Sequence, residues 1–270
     1  MAAADSPGSA PLMTGAVLSP SSAPIRGGSD AVSALPGLVV GRRREHHESF
    51  PPLYRLLRMG CKPVLKWLFD FRVAGTEHLP ASGPFIVAAN HHNYVDGVVL
   101  SVALSRPIAF LVMPRVFYAS PFHPAFHRRV GSIPVNLEKP DPGAIKRVLR
   151  RLASGMVVGI FPEGPFSREG RLVPGQSGVA MIALRSGMPV VPAAIEGTYE
   201  ALNWRRFHVP RRHPLSVRFG TPLHFGPARH QRVTRAERED ITRRIMSEIA
   251  ALLGTQRESI LPVTSCASSP

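Results

Sequence analysis

Between Pro52 and Phe71 the apolar residues Leu53, Leu56, Leu57, Val64, Leu65, Leu68 and Phe69 fall at helical spacing, interleaved with Arg55, Arg58, Lys62 and Lys66. The period predicts a basic amphipathic helix that Pro63 divides or kinks. From Val73 onward the texture changes to short apolar runs alternating with amphipathic stretches. The runs at 85–89, 108–113, 133–135, 156–161, 190–195 and 216–219 read as strands. Helices are predicted between them near 95–105, 116–129, 141–153 and 175–186, with a terminal helix from Arg235 to Leu253. The helix at 141 has a capping Asp141, Pro142 in its first turn and Gly155 behind it; Ile145, Val148, Leu149 and Leu152 form its inner stripe. The terminal helix opens on a Thr234–Glu237 capping-box pattern and carries Ile241, Ile245, Ile249 and Leu252 on one face. Such alternation predicts an α/β fold, a central sheet flanked by helices, with the amphipathic helical segment at its N-terminal side.

The organisation follows from the same texture. Residues 1–45 are rich in Ala, Ser, Pro and Gly without apolar periodicity, and too little apolar surface is available there to offset chain entropy. They read as a disordered extension, followed by the basic amphipathic segment at 46–71, a folded domain at 72–254 and a flexible tail at 255–270. The formal charge of +15 and a pI near 11.3 suit anionic partners: acidic headgroups, phosphorylated substrates or nucleic acid. Lys146, Arg147, Arg150 and Arg151 form a basic helix face, but no recognition motif accompanies them, so nucleic acid is not expected. Cys61 and Cys266 make neither a disulfide framework nor a zinc spacing, and a reducing compartment is the default. His123 and His127 lie four apart without a third ligand at a recognisable distance, so no metal site is expected. No apolar run reaches the ~18 residues that span a bilayer. Adsorption to a membrane surface is the expected alternative to insertion.

The chemistry concentrates at two strand ends. After strand 85–89 comes Asn90-His91-His92-Asn93-Tyr94-Val95-Asp96, and strand 156–161 runs into Pro162-Glu163-Gly164. A neutral imidazole can take a proton from an attacking hydroxyl when its other nitrogen is held by a carboxylate. Five residues is the wrong interval for one helix face. The pair His91–Asp96 therefore requires the histidine on the loop and the aspartate in the first helical turn. His92 is a rival base. The bland alternative is an Asp96 that merely caps a helix beside two loop histidines.

In order and spacing these segments resemble the glycerolipid acyltransferase family, over roughly residues 72–225. The family pattern of Asn-His, four residues and Asp selects His91 as general base and Asp96 as its orienter. Phe161-Pro162-Glu163-Gly164 resembles the block Phe-Pro-Glu-Gly-Thr-Arg-Ser, which implies that Glu163, Gly164 and Ser167 help position the acceptor. Gly131-Ser132-Ile133-Pro134-Val135-Asn136-Leu137 and Val190-Val191-Pro192-Ala193-Ala194-Ile195 resemble two further blocks. Two departures stand out: Leu137 and Phe166 occupy the places of the arginines expected to grip the acceptor's phosphate. Arg115, Lys139, Arg168 and Arg171 are the nearby cations that could substitute. The resemblance implies acyl transfer from acyl-CoA or acyl-carrier protein, as substrates rather than cofactors, to a lysolipid such as 1-acylglycerol-3-phosphate. A lysophospholipid, a lyso-ornithine lipid, or a non-catalytic membrane-binding homologue are the alternatives. It further implies a peripheral protein on the cytoplasmic face of an anionic membrane.

Overall fold

The computed structural model describes residues 52–136, 141–167, 169–202, 210–226 and 233–260. The extension expected at 1–45, with Lys139, Arg168 and Leu137, lies outside the described residues. Seven strands form one sheet in the order β1-β7-β6-β2-β5-β3-β4: β1 (Arg72–Ala74), β2 (Ile86–Ala89), β3 (Ile108–Val112), β4 (Ile133–Pro134), β5 (Val157–Ile160), β6 (Val190–Glu196) and β7 (Ser216–Phe219). Every neighbouring pair is parallel except β6–β7. The predicted α/β architecture stands.

Helices cover both faces, which explains why the central strands are apolar on both sides. In β2, Ile86 and Ala88 point into the core beneath α5 (Pro142–Ala153), α6 (Gly178–Ser186) and α8 (Arg235–Ile260). Val87 and Ala89 point the other way, into the core shared with α1 (Pro52–Phe69) and α2 (Val95–Ala103). Asp141 caps α5 as its spacing predicts, its Oδ1 accepting from the Ala144 amide at 2.8 Å. Thr234 Oγ1 likewise accepts from the Glu237 amide at 3.2 Å.

Several boundaries differ from expectation for identifiable reasons. One continuous α1 contains Pro63, so the proline does not divide it. The single helix expected at 116–129 is two: α3 (Pro114–Phe117) and α4 (His123–Arg129). Pro121 explains the break, because it pushes Ser120 away from helical backbone. The helix α6 begins at Gly178 rather than near 175, as the Gln176 amide donates to the Pro162 carbonyl at 2.7 Å instead. A short α7 (Thr198–Ala201) follows β6 with no counterpart in the sequence reading. The terminal helix continues past Leu253 to Ile260, because Gly254 costs a helix about 1 kcal/mol and does not end it alone.

Candidate active site

The sheet register brings the two motifs together. Ala88 pairs with Ile160, so the chain leaving β2 at Asn90-His91 runs beside the chain leaving β5 at Pro162-Glu163. Both lie at the carboxyl ends of parallel strands, where open α/β sheets bind their ligands. Asn90 anchors the first loop: its side chain exchanges two hydrogen bonds with the Ile195 backbone of β6, at 2.8 and 2.7 Å. Asn93 anchors the second half of it by donating to the Thr198 and Leu202 carbonyls. The short α7 thus has a structural task beside the site.

His91 is on the loop and Asp96 in the first turn of α2, as the five-residue interval requires. Asp96 is fully buried, and its Oδ2 gathers three donors: His91 Nδ1 at 2.8 Å, the His92 amide at 2.6 Å and the Asn93 amide at 2.8 Å. Because a carboxylate only accepts, the ring carries its proton on Nδ1 and presents the lone pair of Nε2. The aspartate therefore both shapes the loop and sets the tautomer. The imidazole retains 15% exposure and lines a cavity, so an incoming hydroxyl can reach it. His92, the rival base, is buried beside Tyr199 and forms no part of that cavity wall. Burial holds its pKa below the ordinary histidine value, against the opposing pull of Asp96.

Aromatic rings fix the imidazole plane. Phe161 stacks on His91 with centroids 4.0 Å apart and planes within 10°, and Phe110 stacks behind Phe161 at 5.7 Å. Gly159 makes room for Phe110: a Cβ there would lie 2.6 Å from the ring. Phe166 meets His91 edge-on at 5.9 Å. An apolar ring thus stands beside the base where the resembled block carries arginine.

Glu163 is buried, and both of its oxygens are taken by backbone. Oε1 accepts from the His91 amide at 2.7 Å and Oε2 from the Val173 amide at 3.0 Å. Burial raises its pKa, and those two amides oppose the shift. Ser167 completes the brace, its amide donating to the His91 carbonyl at 2.8 Å. The main chain of His91 is therefore pinned on both sides by the 163–167 loop. Gly164, at φ +83°, lines the cavity where Glu163 does not, and a Cβ on it would run into the Gln176 amide. Arg115 is exposed on α3 and is not part of the cavity wall. Arg171 is exposed in an ion pair with Glu169 at 3.4 Å. Neither of these candidate cations meets His91.

The cavity measures about 880 Å³, within the roughly 300–1,000 Å³ of ligand pockets. It is walled on one side by residues of the α1–α2 core, such as Tyr54 and Ile108, and on the other by Val148, Ile160 and Ile182. Its wall is mostly apolar, and His91, Gln176 and Arg238 are among the polar residues that line it. No cluster of three or more metal-binding side chains occurs among the described residues.

A family model described as Acyltransferase matches residues 70–196, which hold both motifs and the strands β1 to β6. A 1-acyl-sn-glycerol-3-phosphate acyltransferase of Bacillus subtilis is 30% identical over 145 residues, covering 54% of this chain and 72% of the relative. The chain belongs to the acyltransferase family. A chloroplastic 1-acyl-sn-glycerol-3-phosphate acyltransferase of Brassica napus is 32% identical, but the match spans 47% of this chain and only 37% of that protein. In fold, the acyltransferase resembles the crystal structure of PlsC, the 1-acyl-sn-glycerophosphate acyltransferase of Thermotoga maritima. That match has a TM-score of 0.61 at 22% identity and covers 79% of this chain and 84% of the other.

Proposed function

We propose that this acyltransferase moves a fatty acyl group from acyl-CoA or acyl-carrier protein to the free hydroxyl of 1-acylglycerol-3-phosphate, giving phosphatidic acid. One observation carries the reading: a carboxylate-held imidazole opens onto a large apolar cavity. His91 Nε2 takes the hydroxyl proton as that oxygen attacks the thioester carbonyl. The tetrahedral adduct then collapses, the carbon–sulfur bond breaks, and the imidazolium returns its proton to the departing thiolate. Asp96 steadies the ring and its transient positive charge. The apolar cavity receives acyl chain, and the reaction passes through no acyl-enzyme. It calls for no metal and no resident cofactor, since the thioester is a substrate.

The absence of arginine at Phe166 and Leu137 favours a second reading, in which the acceptor is another lysolipid with the same free hydroxyl. A panel of lyso acceptors with acyl-CoA, followed by thiol release, separates the two. Lysophosphatidate is expected to be the preferred acceptor; equal or better turnover of a lyso-ornithine lipid or lysophosphatidylcholine would move the assignment.

The acceptor lies in a membrane, and the surface suits one. Among the described residues no helix is long and apolar enough to cross a bilayer. Exposed apolar side chains line α1, including Met59 and Trp67, the latter 78% exposed. A second set, Tyr118 and Phe122, rises on the α3–α4 turn, where Phe122 is 82% exposed. Both elements wall the cavity, through Leu57 of α1 and Val116 and Phe126 of α3 and α4. Basic residues border each set: Arg55, Lys62 and Lys66 on one side, Arg115, Arg128 and Arg129 on the other. We infer peripheral binding to the anionic cytoplasmic face, with these residues at the headgroup boundary. Sedimentation with phosphatidylglycerol vesicles is expected to weaken as salt rises, each basic contact contributing ~1 kcal/mol. Phe122→Ser should lower it further at every salt concentration. Salt-independent binding would rule out the electrostatic part.

A further inference from the structure

We infer that Arg238 receives the phosphate of the acceptor, in place of the arginines missing at 137 and 166; this rests on the acceptor proposed above. Arg238 lies in the first turns of α8, beyond the stretch at 70–196 that matches the family model. One and two turns further along α8, Thr242 and Met246 pack so closely on Gly175 that a Cβ there would sit 3.0 and 2.9 Å from them. Gly175 leads into Gln176, whose side chain covers Gly164, next to the Glu163 that holds the His91 amide. This chain of contacts sets Arg238 at the same carboxyl edge of the sheet as the imidazole. Both side chains line the same cavity.

The guanidinium is poised for an anion. Its Nε is buried and without a hydrogen-bond partner among the described residues. Two of the carboxylates beside it in α8 are bonded to other arginines, Glu239 to Arg235 at 2.6 Å and Asp240 to Arg243 at 3.0 Å, although Glu239 also lies within the field of Arg238. Asp141 shares the cavity wall, but it is bound to the Ala144 amide and to Arg147. Arg58, the other arginine of the wall, already donates to the Leu104 carbonyl at 2.9 Å. A buried donor left open is costly, and a planar guanidinium matches phosphate with two parallel hydrogen bonds. With Phe166 packed against the base, the positive charge has shifted from the loop after β5 to the facing helix.

Steady-state kinetics of the full chain with acyl-CoA and 1-acylglycerol-3-phosphate test this. Arg238→Gln is expected to raise KM for the acceptor about 10–100-fold, as for loss of a charged hydrogen bond, with kcat lowered less than about threefold. Arg238→Lys should recover part of the loss. Glycerol 3-phosphate, used as a competitive inhibitor, should lose potency by a similar factor in Arg238→Gln, while KM for acyl-CoA holds. An active wild type with an unaltered acceptor KM in Arg238→Gln would overturn the inference alone. So would an equal rise in KM for acyl-CoA. A wild type that acylates other lysolipids but not lysophosphatidate would overturn the acceptor reading and this inference with it.

Discussion

His91→Ala is expected to lower kcat/KM by about 10²–10⁴-fold, the range for losing a positioned general base. The loss should fall mainly on kcat, because the ring contacts the reacting hydroxyl rather than the body of either substrate. Asp96→Asn is expected to lower kcat comparably by a different route. All three donors to Asp96 converge on one oxygen, and an amide oxygen can replace it there. The loop geometry then survives while the charge that steadies the imidazolium disappears. The new NH₂, in the buried place of an Oδ1 without a partner among the described residues, costs about 1–3 kcal/mol of stability. Asp96→Ala goes further, leaving the buried His92 and Asn93 amides unpaired at about 1–3 kcal/mol each, so its melting temperature should fall as well. His92→Asn is the control, since that ring faces Tyr199 and not the cavity. Initial rates of thiol release from acyl-CoA measure all four variants. Wild-type rates in His91→Ala would remove the base from the mechanism.

Much of this arrangement is legible along the chain, and the legible parts share a cause. Strands buried on both faces appear as unbroken apolar runs, so β2, β5 and β6 are readable within a residue or two. His91 and Asp96 are readable because their interval makes sense only across a loop-to-helix boundary. The roles inside the second motif are less accessible. Nothing in Phe161-Pro162-Glu163-Gly164 says that the carboxylate turns inward to two backbone amides, one of them ten residues downstream at Val173. Ser167 acts through its amide, which every residue but proline possesses. Arg238 carries no local signal whatever, since Arg235, Arg243 and Arg244 look the same in one dimension. Its place in the cavity wall, with a buried Nε that has no hydrogen-bond partner among the described residues, separates it from them, and only the three-dimensional packing shows that. The split between α3 and α4 is different: Pro121 announces it, and helical periodicity across 116–129 obscures it.

Glu163→Gln is expected to damage activity more than a surface view of a conservative change suggests. The carboxylate accepts from two amides with two different oxygens, His91 at 2.7 Å and Val173 at 3.0 Å. A glutamine supplies one acceptor and one donor. Whichever way its amide turns, an NH₂ group confronts a backbone N–H in a buried site. Leaving such a donor unmet costs about 1–3 kcal/mol. If the oxygen keeps Val173, the His91 amide is released and the base loses one of its two main-chain ties. The Ser167 tie to the His91 carbonyl remains, so the loop should loosen rather than unfold. A shift of about 1 Å at a reacting group can cost 10²-fold in rate, and kcat is expected to fall on that order. The acceptor KM distinguishes this from direct substrate binding by Glu163. A positioning residue lowers kcat and leaves KM for 1-acylglycerol-3-phosphate nearly constant, whereas a residue that grips the acceptor raises KM. Glu163→Asp, too short to bridge both amides, should behave like glutamine in kcat. A rise in KM with kcat intact in either variant would assign the carboxylate to the acceptor instead of to the loop.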